Sequence, residues 1–295
     1  MTKVVLETII SGILVGGVYS LVALGIVVIY KSTKIVSFVQ GGILLMGAVI
    51  GWGLMGPGGV PIGYGIVATL VACVVLGMGI DYFTLRPIIG QPILTSIMIT
   101  IALSWAFNSI GILFLGGAEQ YFPRILPEGV FTLKGLMLSK SLVFQFSITM
   151  LFFIVFTLFY KFANLGLAMR GTAEDQEVMQ SLGVKVTRIY TYAWVIAAFF
   201  GGVCGILMGS TVSVNVGLES IGLKALAVVL IAGMESIPGA ILVGPLIGIL
   251  ENLCVLFLDP LVGGGLGEIV PYVVMLFILF VKPYGLFGLE RIERI

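Results

Sequence analysis

The sequence predicts an all-α polytopic membrane protein, and three observations carry that prediction. Of the 295 residues, 59% are hydrophobic and only 10% charged, where a soluble domain of this size carries about 25% charged residues. Mean hydropathy is +1.21. Apolar runs recur at roughly 18 to 25 residues, the length a helix needs to cross a hydrocarbon core of about 30 Å. A β-barrel would instead read as weak alternating segments of about ten residues. Continuous runs such as "SLVFQFSITMLFFIVFTLFY" exclude it.

Taken in order, the apolar runs place spans near 5–30, 36–55, 60–82, 93–115, 141–163, 188–210, 218–234, 239–258 and 269–286. The seventh is short enough to be a half-helix, so eight or nine crossings are expected, in one transmembrane domain over 1–295. The first run is too long for a cleaved leader and lacks a basic n-region with a clear cleavage site, so it reads as a span. Two stretches, "SFVQGGILLMGAVIG" (37–51) and "SIPGAILVGPLIG" (236–248), each start at Ser and continue as glycine-spaced apolar helix. That pattern permits close helix approach, a helix break at membrane depth, or a distant internal repeat.

Lys and Arg set the expected orientation. With the N-terminus outside, the turns place Lys31, Lys34, Arg86, Lys161, Arg170, Lys185, Arg188, Lys282, Arg291 and Arg294 inside. Lys3, Arg124, Lys134, Lys140 and Lys224 fall outside, an asymmetry that agrees with the positive-inside tendency. The C-terminus is then cytoplasmic. The longest outer connection, around 116–140, carries Pro123, Pro127 and Gly129 as turn formers. It reads equally as a plain connecting loop and as a contact for something delivered from outside.

Composition removes several function classes. A net charge of +1 points to no nucleic acid. His is absent, and Cys73, Cys204 and Cys254 each sit in an apolar run, so neither a metal site nor a disulfide is expected. At membrane depth no paired carboxylates or nucleophile with a base lie together, so the chain is read as no enzyme. It also lacks G-x-x-x-x-G-K-[ST] and has no ATP site of its own of that kind.

One polar stretch stands out, "AMRGTAEDQEVMQSLGVKVTR" (168–188). Thr172 is an expected N-cap, Glu174, Asp175 and Glu177 crowd the first turns, and Gly183 follows as a stop. Val178, Met179 and Leu182 share one face. A helix of about ten residues is unstable alone in water and has to dock. Interfacial helices that lie on lipid carry basic polar faces, whereas this one is acidic, so a protein partner is favoured.

That stretch, followed by "RIYTYAWVIAAFFGGVCGILMG", then "GLKALAVVLIAGMESIPGAILVGPLIGILENL" and finally "KPYGLFG", resembles the LivH-type permease of branched-chain amino acid ABC importers. The opening "GGVYSLVALGIVVIYKSTKIVSFVQGGILLMGA" is similar to the same family, so the resemblance covers nearly the whole chain. It implies an ABC importer permease fold in the bacterial inner membrane, and a pathway formed with a sister permease, a different chain rather than a second copy. It further implies two cytoplasmic ATPases that bind ATP and Mg, a periplasmic substrate-binding protein, and no cofactor in this chain. The acidic cytoplasmic helix is then a coupling helix, with Ala173, Glu174, Asp175, Met179, Leu182 and Gly183 at the matching positions. Two departures touch the pathway: in "FVQGG" Gly42 stands where members commonly carry an acid, and Glu235 stands where they usually carry glycine.

Charged residues inside spans are costly and usually face a bundle interior or cavity. Glu251 in "IGILENLCVLF" is the clearest case, with burial against a polar partner as the plainer reading. Ser37, Gln40, Glu235 and Ser236, at the two expected helix breaks, complete the pathway candidates. Thr100, Ser104 and Asn108 share a face of the fourth span, where such residues more often bond across helices. The alternatives are an ion-coupled secondary carrier, which commonly needs more ionisable residues at membrane depth, and a passive channel, which needs no docking helix. Branched-chain or other hydrophobic amino acids lead as cargo, ahead of urea, short amides and small organic acids.

Overall fold

The protein, seen in a computed structural model that describes residues 1–88, 91–133 and 135–288, is a helical bundle with one small hairpin. In chain order the helices are α1 (Thr2–Thr33), α2 (Gln40–Met55), α3 (Ile62–Gly79), α4 (Ile93–Leu115), α5 (Lys140–Phe162), α6 (Asn164–Glu174) and α7 (Gln176–Ser181). They continue as α8 (Val186–Thr211), α9 (Ser220–Ala232), α10 (Ile237–Phe257), the single turn α11 (Asp259–Val262) and α12 (Leu266–Val281). Among the described residues, α1, α3 with its continuation to Ile88, α4, α5, α8 and α10 are long and apolar enough to cross a membrane. The other three expected spans, α2, α9 and α12, are shorter.

Burial sorts the spans into a centre and a rim. The most apolar window of α1 is 89% buried and that of α8 is 78% buried, against 17% for α4 and 22% for α5. The rim helix α4 is inside-out: its buried positions are Ser96, Thr100, Ser104, Gly111 and Leu115, while Trp105, Leu113 and Phe114 are exposed. In lipid no hydrophobic force pushes leucine inward, so small and polar residues take the helix contacts.

Glycine makes the central seams. Gly12, Gly16 and Ser20 of α1 meet Gly244 and Gly248 of α10, and a methyl group on Gly12 would lie 2.6 Å from the Gly248 carbonyl oxygen. On α8, Gly202 and Gly205 meet α2, and a methyl on Gly47 would lie 2.7 Å from the Cα of Gly202. Backbone contact this close accounts for the glycine spacing read in 37–51 and 236–248.

Two helices begin inside the bundle. After α1, Lys34 adopts a left-handed turn at φ 58°, its N–H bonded to the Tyr30 carbonyl at 2.7 Å, and residues 35–38 run back into the bundle without helix. Gln40, the first residue of α2, lies against Gly25, two turns from the end of α1 and so about 12 Å deep at 1.5 Å per residue. From the other side, Gly222 near the start of α9 packs on Gly41. The stretch 236–248 differs, because α10 starts beside Lys34 at the end of the bundle.

"KPYGLFG" now has a structural role: Leu286 and Phe287 donate backbone N–H groups to the Ile231 and Ala232 carbonyls at 2.8 and 3.0 Å, and Gly285 packs on Gly233. This satisfies carbonyls that the end of α9 leaves without helical partners.

Lys31, Lys34, Lys161 and Arg170 gather at one end of the bundle around Tyr160, and Lys3 and Lys140 lie near the hairpin at the other. Lys134, Arg291 and Arg294 lie outside the described residues. Three expectations need correction. Lys224, counted to the outer face, does not reach that surface: it is buried on α9. The outer connection is not all loop, because Val130–Leu133 and Leu136–Ser139 pair as an antiparallel hairpin. Thr172 is no N-cap: it lies buried in the last turn of α6, its hydroxyl bonded to the Ala168 carbonyl at 2.8 Å.

Candidate functional site

The polar stretch folds as two short helices with a sharp bend. α6 packs its Gly166, Met169 and Thr172 inward and ends at Glu174. Arg170 ties it to the end of α5 by donating to the Tyr160 and Lys161 carbonyls and covering the Tyr160 ring. Asp175 is extended and caps α7, its Oδ1 accepting from the N–H groups of Glu177 and Val178 at 2.9 and 3.0 Å. That satisfies two of the donors that a helix start leaves free.

α7 ends in a paired C-terminal motif. The Val184 N–H reaches the Met179 carbonyl at 3.0 Å and the Gly183 N–H reaches the Gln180 carbonyl at 2.9 Å, with Gly183 at φ 83°. This is the left-handed position where glycine avoids the Cβ penalty. Six residues of helix are therefore held from both ends. Met179 packs back on Gly171, but Val178 and Leu182 are 53% and 72% exposed beside the exposed Glu174, Asp175 and Glu177. Ala173 is half-buried at the bend. An apolar knuckle rimmed by acids thus projects from the end of the bundle that holds Lys31, Lys34 and Arg170.

The interior candidates separate into two groups. Ser37 and Gln40 lie at the start of α2, both fully buried. The Gln40 amide donates to the Ala197 carbonyl at 2.8 Å, while its Oε1 and the Ser37 hydroxyl have no partner among the described residues. Glu235, Ser236 and Glu251 have structural partners. Glu235 joins Lys34 at 2.6 Å, tying the turn between α9 and α10 to the end of α1. Ser236 caps α10 by accepting from the Gly239 N–H at 3.0 Å.

Glu251 binds Lys224 at 2.5 Å and accepts from the Tyr19 hydroxyl at 2.9 Å, which links α10, α9 and α1. The Lys224 and Glu251 side chains are only 11% and 14% exposed. Hydropathy cannot reveal such a pairing, though an ionisable residue in each of two neighbouring apolar runs was a usable signal.

Sequence reasoning missed two further polar contacts. Asp81, 2% exposed, pairs with Arg86 at 3.1 Å and accepts from Thr191 at 2.7 Å. Glu219, in a single 3-10 turn (Val216–Glu219) just before α9, accepts from Ser104 at 2.5 Å and from Asn108. The shared face of Thr100, Ser104 and Asn108 was legible, but the carboxylate it serves was not. Thr100 itself accepts from the Phe38 N–H at 3.3 Å, so this α4 face runs along the entry to α2.

Comparison with known proteins agrees with this architecture. The family model described as "Branched-chain amino acid transport system / permease component" matches residues 8–279. The chain is 27% identical to the high-affinity branched-chain amino acid transport system permease protein BraD of Pseudomonas aeruginosa, covering 98% of both chains. It is 23% identical to the protein of that description named LivH in Escherichia coli K12, covering 98% of this chain and 97% of the relative. A probable LivH of Methanocaldococcus jannaschii is 24% identical over 98% and 93%. Among solved structures, PsaBC from Streptococcus pneumoniae in complex with Fab superposes with a TM-score of 0.54 at 15% identity, over 94% of this chain and 91% of that one. That likeness shows the fold alone. A polytopic helical bundle matched from residue 8 to residue 279 by one family model makes this chain a member of the branched-chain amino acid permease family, of LivH type.

Proposed function

We propose that this chain is the transmembrane permease subunit of an ATP-driven ABC importer for branched-chain or other hydrophobic amino acids. The observation that carries the reading is the acid-rimmed knuckle of α7, whose exposed Val178 and Leu182 are held in place by the Asp175 cap and the Gly183 turn. A rigid apolar projection with a polar rim is the form of a docking element. In this reading Ala173, Glu174, Asp175, Met179, Leu182 and Gly183 form the coupling helix, which seats on one of two cytoplasmic ATPase subunits. ATP and Mg belong to those partners, and this chain is no enzyme. A sister permease of different sequence completes the pathway, and a periplasmic binding protein delivers the solute. The protein sits in the inner membrane with its N-terminus outside and the basic end of the bundle cytoplasmic.

Among the pathway residues, Ser37 and Gln40 lie at the internal start of α2, Glu235 and Ser236 anchor the turn into α10, and Glu251 fixes α9. The test is purification of the chain from its native membrane in mild detergent, with mass identification of what accompanies it and ATP hydrolysis measured against a panel of amino acids. Two ATPases, a second permease and stimulation by leucine, isoleucine or valine are expected. Recovery of the chain alone, active in liposomes without ATP, would overturn the proposal in favour of a carrier or channel.

A further inference from the structure

Glu219 differs from the other acids inside the bundle. Asp81 has Arg86, Glu251 has Lys224, and Glu235 has Lys34. Among the described residues, no lysine or arginine lies within ion-pair distance of Glu219. Its two oxygens are held by neutral donors, the Ser104 hydroxyl and the Asn108 amide, and a carboxylate has about four acceptor positions to fill. Retaining a charge at membrane depth without its own counter-ion is costly, and such residues mark solute pathways by default.

Its place in the fold adds to this. Glu219 stands at the break before α9, next to the start of α2, where Gly41 and Gly222 bring two backbones together. Glu219 is itself only half-buried, and Gly217, Ser220 and Leu223 near it in sequence are exposed, so the residue is not sealed in the core. The half-buried Val216 and Phe107, with Leu223, supply apolar surface around it. Ser37, one residue before the Phe38 that bonds the same α4 face, keeps a buried hydroxyl with no partner among the described residues. Buried polar atoms in native proteins are seldom left so.

We infer that Glu219, positioned by Ser104 and Asn108, is a solute-binding residue that receives the ammonium group of an amino acid in transit, with the apolar side chain against Leu223 and Val216. This rests on the transport reading above and adds to it a specific contact: the residue of this subunit that holds the solute's ammonium group. Charge-assisted N–H to carboxylate bonds are about twice as strong as neutral ones. The ammonium therefore gains more from the carboxylate than from the neutral acceptors of Ser104 and Asn108 alone.

The experiment uses the whole importer, co-expressed with its partner subunits in cells lacking their own leucine uptake. The wild type is measured first with labelled L-leucine. Absence of uptake for leucine and for every other amino acid tried would overturn the transport reading, and this inference with it. With uptake established, Glu219→Gln should assemble to the wild-type level, judged by co-purification, and raise KM for leucine at least tenfold. Leucine uptake unchanged in Glu219→Gln would overturn the inference alone.

Two further measurements cover a failure of that variant to assemble. Ser104→Ala keeps the charge and removes one of its two supports, and should raise KM by about threefold; no change counts against the inference. Glu219→Cys adds an accessible thiol to a chain whose Cys73, Cys204 and Cys254 are all buried. A cationic methanethiosulfonate should label it, and leucine under turnover should slow the labelling. Labelling that leucine does not affect would leave Glu219 a structural residue and overturn the proposal.

Discussion

Replacing Lys224 by methionine leaves Glu251 inside the bundle with the Tyr19 hydroxyl as its only side-chain donor among the described residues. At 2.5 Å and an effective dielectric of about 20, the lost attraction is about 6 to 7 kcal/mol before solvation is counted. Desolvation of the two ions offsets several kcal/mol each, so the net worth of the intact pair is small. The cost appears when one partner goes, because the other charge stays buried and unmatched, and is about 3 to 5 kcal/mol. Lys224→Met and Glu251→Gln should therefore each be strongly destabilising, while the double variant, in which the new amide oxygen still accepts from Tyr19, recovers most of the loss. The assay is the fraction of monodisperse protein surviving a temperature series in detergent, compared across the four forms. Single variants as stable as the wild type, or a double variant as unstable as the two losses added, would refute the reasoning. The pair would then be exposed to water or absent.

Two other perturbations probe different links. Gly183→Ala meets no atom within 4 Å, so its effect comes from the left-handed φ of 83° alone, about 1 to 2 kcal/mol. The expected outcome is normal insertion with loss of solute-stimulated ATP hydrolysis in the assembled importer, and unchanged stimulation would remove Gly183 from the coupling element. Gly12→Leu drives a side chain into the Gly248 carbonyl at the α1 and α10 seam, where overpacking costs about 1 to 3 kcal/mol or more. Its yield in membranes should collapse, whereas Gly63→Leu on α3, where an added Cβ meets no described atom within 4 Å, should be tolerated.

The positions of the helices were legible in the sequence because hydropathy reports length against bilayer thickness, and each expected run contains a helix. The short seventh run was also legible as a half-helix, and α9 has 13 residues. What a single sequence does not carry is which residues meet. Lys224 was counted to the outer face because it lies toward the outer start of the seventh run, and the partner that buries it lies 27 residues further on. Thr172 and Asp175 both suit a helix start, and only the bend at Glu174 decides between them. At the candidate site, the acidic segment and its glycine stop were readable from local chemistry. The seat of Glu219 was not, because its donors come from α4, 111 and 115 positions away. The departures noted at Gly42 and Glu235 find physical places: Gly42 packs against Phe107 and Ser104 beside that seat, and Glu235 joins Lys34.

The pairing of the first long helix with the tenth also sets a timetable for making the protein. Tyr19 and Glu251 are 232 residues apart, an interval of about 12 to 46 s at synthesis rates of 5 to 20 residues per second. Throughout it α1 waits in the bilayer without its closest neighbour. It can wait because the face it will bury is glycine and serine, and the Ser20 hydroxyl is already bonded to the Gly16 carbonyl one turn back. Lys224 and Glu251 could not wait so cheaply, and they leave the ribosome only 27 residues apart, about 1 to 5 s at those rates. Groups that lipid tolerates are made early, and the two that neutralise each other are made together.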